Sequence, residues 1–148
     1  MQNYTHTDAL LIHISAFAGY MFPFGSILAP LILWQILKNK DPFLDKQGKA
    51  AINFNLSFSL YFFIVSTLFF VLLFGFLFGS FLDLYNETTF NFETSIIYKN
   101  MFALISLIVT VFLCCLISIS KIMLIIIASI KANKGKNYTY PFTINFIK

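Results

Sequence analysis

Three long stretches of this 148-residue chain carry no charge, and they constrain its fold more than any other feature. The first covers residues 9–37, between Asp8 and Lys38. The second covers 50–82, between Lys49 and Asp83. The third covers 100–120 and resumes after Lys121 as 122–130. A helix needs roughly 20 apolar residues to cross a hydrocarbon layer of about 30 Å, so the second and third stretches each supply one crossing. The chain is 59% hydrophobic and 11% charged, with a mean hydropathy of +0.82. A soluble domain carries about 25% charge. Composition therefore disfavours a disordered chain, a disulfide-stapled secreted scaffold and a soluble enzyme, and points to an all-α membrane protein.

The first stretch is long for one crossing and short for two. Pro23 disfavours helix at Phe22, and Gly19 and Gly25 flank the break. Two short helices are expected, at about 7–21 and 27–37, forming either a tight hairpin or one broken span. Non-helical backbone at membrane depth must be covered by protein rather than lipid, so the break should face the other helices. Residues 16–18 match a small-x-small cleavage pattern. Residues 1–8 hold no Lys, however, and His13 interrupts the apolar stretch, so the segment reads as uncleaved.

Lysine placement indicates sidedness. All ten basic residues are Lys; four lie at 38–49 and four at 131–148, whereas the 83–99 segment has Lys99 against Asp83, Glu87 and Glu93. The expected arrangement is a cytoplasmic or interfacial segment at 38–49, a transmembrane helix at 50–82, an outer loop at 83–99, a second transmembrane helix at 100–131 and a cytoplasmic tail at 132–148. The N-terminus carries no Lys and gives no indication. Asp41-Pro42 and Asp45 are helix-start chemistry, predicting an interfacial helix from about Pro42 that bends into the membrane near Ala50. Gly135 is the expected stop of the last helix. Beyond it Tyr138, Tyr140, Phe142, Ile144 and Phe146 alternate with polar residues. That is strand periodicity, predicting an extended segment on the bilayer or on the cytoplasmic loop.

Lys49, Asn53 and Ser57 recur every four residues and share a helix face. Such an edge either makes interhelical hydrogen bonds, worth about 0.6–2 kcal/mol each, or lines a small polar cavity. Lys121 interrupts the third stretch and either snorkels to the interface or enters that cavity. Helix geometry predicts Lys49, Asn53 and Lys121 near one another, with Asp45 offsetting the Lys121 charge. Gly75 and Gly79 form a GxxxG pair, and Ser15 with Gly19 a small-xxx-small pair; both permit close helix packing. His6 and His13 share a face, but there is no third His and Asp8 would add only one oxygen, and the adjacent Cys114 and Cys115 suit no bridge or zinc site. No phosphate loop or nucleophile elbow appears, so no catalytic residue, metal or cofactor is expected. The lysines adjoin apolar runs, which suits a membrane surface and not nucleic acid.

Residues 13–20 (HISAFAGY), 23–32 (PFGSILAPLI), 42–54 (PFLDKQGKAAINF) and 130–135 (IKANKG), with Tyr138 and residues 140–144 (YPFTI), resemble the small bacterial multi-pass membrane family that includes the magnetosome proteins MamF and MmsF. More distantly the chain is similar to the chloroplast import component Tic twenty. The resemblance implies a helical integral membrane protein of three or four segments and favours the hairpin, with a cytoplasmic N-terminus. Magnetosome members are associated with magnetite crystal control, but this outer loop has three carboxylates and no acidic cluster. The expected role is a non-catalytic module of a bacterial cell membrane, packing with itself or another membrane protein. The alternative is a small oligomeric transporter or channel component with a polar cavity at Lys49, Asn53 and Lys121.

Overall fold

The computed structural model describes residues 2–86 and 94–148. Their order is helix α1 (Gln2–Ile14), a 3-10 segment (Ser15–Tyr20), α2 (Gly25–Leu37), α3 (Pro42–Asn86), α4 (Thr94–Asn133) and a tail. The protein is an all-α membrane protein with two short N-terminal helices, two long apolar ones and a short extended tail; the described residues contain no strand. The acidic positions Glu87 and Glu93 of the expected outer loop lie outside the described residues.

Local chemistry sets the boundaries. Asp41 caps α3: its Oδ1 accepts from Phe43 N–H at 2.7 Å and its carbonyl from Leu44 N–H at 3.0 Å. Pro42, with no N–H to satisfy, occupies the first helical position. From there α3 runs as one continuous helix of 45 residues, about 68 Å at 1.5 Å per residue. The helix is unbroken at Ala50. Gly135, at φ +68°, closes α4: Gly135 N–H reaches Ala132 C=O at 2.9 Å and Lys136 N–H reaches Lys131 C=O at 3.0 Å. This paired pattern needs a left-handed residue, which glycine adopts without Cβ strain. The break in the first stretch is a tightening before it is a turn. Helix α1 already begins at Gln2, its α geometry ends at Ile14, the 3-10 segment follows, and Phe24 at φ 62° starts α2.

The chain divides into two compact units, Met1–Leu60 with Ile119–Lys148, and Tyr61–Ser118. In the first, Ala9 and Ile12 of α1, Leu37 of α2, Leu44 and Ala51 of α3 and Ala132 of α4 form one buried cluster. Gly48 admits the close approach of Trp34, because a Cβ there would run into the indole. The second unit holds the C-terminal part of α3 and the N-terminal part of α4. Its apolar side chains, among them Phe63, Phe70, Phe74, Ile108 and Phe112, are exposed where a bilayer would solvate them. Its Ser66, Thr67, Ser106, Thr110 and Ser118 hydroxyls each donate to a carbonyl three or four residues back. That self-bonding hides a hydroxyl from lipid.

Candidate functional site

Within the first unit the polar edge of α3 holds the tail. Asn53 works in both directions: its Oδ1 accepts from the N–H groups of Phe146 at 3.1 Å and Ile147 at 2.8 Å, and its Nδ2 donates to Ile147 C=O at 2.9 Å. One turn further on, Ser57 Oγ accepts from Ile144 N–H at 2.8 Å while donating to Asn53 C=O at 2.8 Å. An extended segment has no ladder of its own, and its backbone groups need partners when they leave water. An amide and a hydroxyl at four-residue spacing supply them.

Tyr140 anchors the tail more deeply. Its ring stacks on Phe54 with centroids 3.9 Å apart, and its hydroxyl lies 2.9 Å from His13 Nδ1. On the other side of the imidazole, His13 Nε2 lies 2.8 Å from Gln47 Oε1. Gln47 directs its amide nitrogen to Asn137 Oδ1 at 3.3 Å, so its oxygen faces the histidine. An amide oxygen only accepts, hence Nε2 carries the ring proton and Nδ1 of the neutral ring accepts from the phenol. His13, Gln47 and Tyr140 are all buried. Burial, and next the neighbouring Tyr138, push the Tyr140 phenol well above its ordinary pKa, which keeps it a donor. The result is a clasp of neutral donors and acceptors joining α1, α3 and the tail.

The candidate residues divide accordingly. Asn53 and Ser57 meet under the tail. Lys49 pairs with Asp45 at 2.7 Å and lines a separate cleft with Lys38 and Lys148. Lys121 is half-buried on α4, has no hydrogen-bond or ion partner among the described residues, and lines neither that cleft nor the one between α3 and the tail. Asp45, expected to offset Lys121, is engaged by Lys49 and by Trp34 Nε1–H at 2.9 Å. Asn55, beside the polar edge, donates to Ala51 C=O at 2.8 Å; its buried Oδ1 has no partner among the described residues. Gly19 seats the 3-10 segment on α2, where a Cβ would fall 2.7 Å from Ser26 Cβ. Gly75 faces open space, and Gly79 is half-exposed.

The tail departs from strict alternation. Tyr140 is buried, but Phe142, expected on the same side, is 82% exposed at φ 55°. The chain turns at Pro141 and Phe142, and the residues beyond hydrogen-bond to α3. His13 was visible as an oddity in an apolar stretch. Its partners Gln47 and Tyr140 were not, because they lie 34 and 127 positions away. No three His, Cys, Asp or Glu side chains converge as a metal site among the described residues.

The model of a magnetosome magnetite crystal formation protein family, MamF/MmsF, matches residues 5–147. No curated protein and no solved structure matches the chain.

Proposed function

The chain belongs to the MamF/MmsF family, and from that premise we propose that it is a non-catalytic module of a bacterial cell membrane that packs with itself or with another membrane protein. The observation that carries this reading is the fate of the polar edge: Asn53 and Ser57 hydrogen-bond the protein's own tail. Groups so engaged are not free to desolvate a passing solute. The open face at Gly75 supports the same reading, since small residues allow close backbone approach between helices.

The second reading, a small oligomeric transporter, rests on Lys121. A half-buried ammonium without a partner among the described residues suits a polar path better than a lipid face. Proteoliposomes separate the two. The module reading expects no ion or solute flux, and disulfide cross-linking of a Gly75→Cys variant in a background lacking Cys114 and Cys115. Flux abolished by Lys121→Leu, with the protein still folded, would transfer the assignment to the transporter.

The sidedness belongs to the same proposal, with the 38–49 segment and the tail cytoplasmic. In the cysteine-free background Thr89→Cys should react with an impermeant maleimide from outside, and Lys136→Cys should not. The opposite labelling pattern inverts the topology.

A further inference from the structure

Apart from the clasp, the first unit has an open cleft of about 590 Å³ walled by Trp34, Lys38, Asp41, Asp45, Lys49 and Lys148. Its three ammonium groups face two carboxylates, and both carboxylates are already engaged. Asp41 accepts from Phe43 N–H, and Asp45 holds Lys49 at 2.7 Å and the Trp34 indole N–H at 2.9 Å. Lys38 lies over the Trp34 ring, 5.1 Å from its centroid. Neither Lys38 nor Lys148 has a side-chain carboxylate within ion-pairing distance among the described residues. The cleft therefore presents two ammonium groups without a side-chain counter-ion, beside an indole whose orientation Asp45 fixes.

Its level in the membrane follows from the sequence. Lys38 stands directly after the first uncharged stretch and Lys49 directly before the second, so both mark where hydrocarbon gives way to headgroups. Trp34 has the amphipathic ring that favours this depth. The abundant anions there are lipid phosphates, and basic pockets beside transmembrane helices bind such headgroups. We propose that this cleft binds the phosphate of a net-anionic membrane lipid, with Lys38 and Lys148 donating to its oxygens and the buried Trp34 ring backing Lys38. Asp45 and Lys49 hold the wall in place. The site is independent of the packing role proposed above.

Trp34 is the one tryptophan in the chain, so its emission reports on this cleft alone. The full chain is reconstituted in phosphatidylcholine nanodiscs with increasing phosphatidylglycerol. The expected result is a saturable change in emission. The Lys38→Gln/Lys148→Gln double variant should need about thirtyfold more anionic lipid, on a scale of about 1 kcal/mol per lysine near the surface. Lys136→Gln, outside the cleft, should respond as the parent does. The Lys38→Arg/Lys148→Arg variant keeps both charges and should respond within a few-fold of the parent, which separates binding from folding. Three results would overturn the proposal: equal emission in neutral and anionic discs, an unchanged response of the double Gln variant, or saturation by free glycerol phosphate in purely phosphatidylcholine discs. The last would assign the cleft to a soluble phosphate.

Discussion

The two units differ in how far their polar side chains reach: self-bonded hydroxyls and amides occur in both, long-range ones in the first. In the unit formed by the chain's two end segments, His13, Gln47, Asn53 and Ser57 bond to residues far away in sequence. In the unit Tyr61–Ser118, Ser66, Thr67, Ser106, Thr110 and Ser118 bond back to their own helices. One set of polar side chains specifies a tertiary structure; the other only makes a helix tolerable to lipid. The same residue classes serve both ends, and what separates them is whether a second segment with unsatisfied backbone lies within reach.

The severest way to break this contrast is to remove the second segment. Deleting residues 137–148 takes away the Tyr140 stack and every tail bond to Asn53, Ser57 and His13. A loss of about 3–5 kcal/mol is expected in the unfolding of the first unit, measured by denaturant titration in detergent. Far-UV circular dichroism should still report the two long helices. A collapse of helix content on deletion would mean that the units are not separable in this way.

Smaller changes sharpen the contrast. Asn53→Ala strands the Ile147 N–H and C=O, leaves Phe146 N–H only its bond to Ile144 C=O, and should cost about 1–3 kcal/mol. Ser66→Ala, whose partner is a carbonyl of its own helix, should stay within about 0.5 kcal/mol. Amide exchange at Ile147 checks the first of these directly, since protection there should vanish in Asn53→Ala alone. Two glycines give a parallel test. Gly48→Ala drives a methyl into Trp34 and should cost about 1–3 kcal/mol, whereas Gly75→Ala meets open space and should be near neutral. Equal melting shifts for the two alanine variants would contradict the packing.

The mildest perturbation is alkali. Burial raises the pKa of Tyr140, so the folded state holds that proton more tightly than the unfolded one. Its contribution is complete below the ordinary tyrosine value of about 10 and is lost as pH climbs beyond it, when the unfolded chain ionises first. Burial raises Tyr138 as well, so spectrophotometric titration should show late tyrosinate ionisation in the parent, with the latest part missing in Tyr140→Phe. Helix content of the second unit should not follow it.

What the sequence disclosed was whatever depends on neighbours along the chain. Uncharged stretches and their flanking lysines reveal α3 and α4, Asp41-Pro42 reveals a helix start, and Gly135 a helix end. The four-residue spacing of Lys49, Asn53 and Ser57 identifies a polar edge that needs a partner. The partner itself was hidden, since Ile144, Phe146 and Ile147 take part through backbone groups that every residue possesses. Gln47 stands between Lys46 and Gly48, where a glutamine looks solvated, and only the fold turns it towards His13. Alternation misplaced Phe142 because it registers side-chain period and not the positive φ that follows Pro141.

His13 and Tyr140 stand 127 positions apart, which gives the clasp a place in time as well as in space. When α1, α2 and the start of α3 have been synthesised, Tyr140 does not yet exist. Until it arrives, His13 Nδ1 and the side chains of Asn53 and Ser57 lack their tail partners, and buried polar groups left so are costly. Two apolar helices intervene, each long enough to cross a bilayer, and with the sidedness proposed above the tail meets the first unit only if both crossings have been made. A chain that missed one would carry Tyr140 on the far side of the membrane from His13, and its clasp would stay open. On that topology a hydrogen bond between two side chains would double as a check that the polypeptide has been threaded correctly.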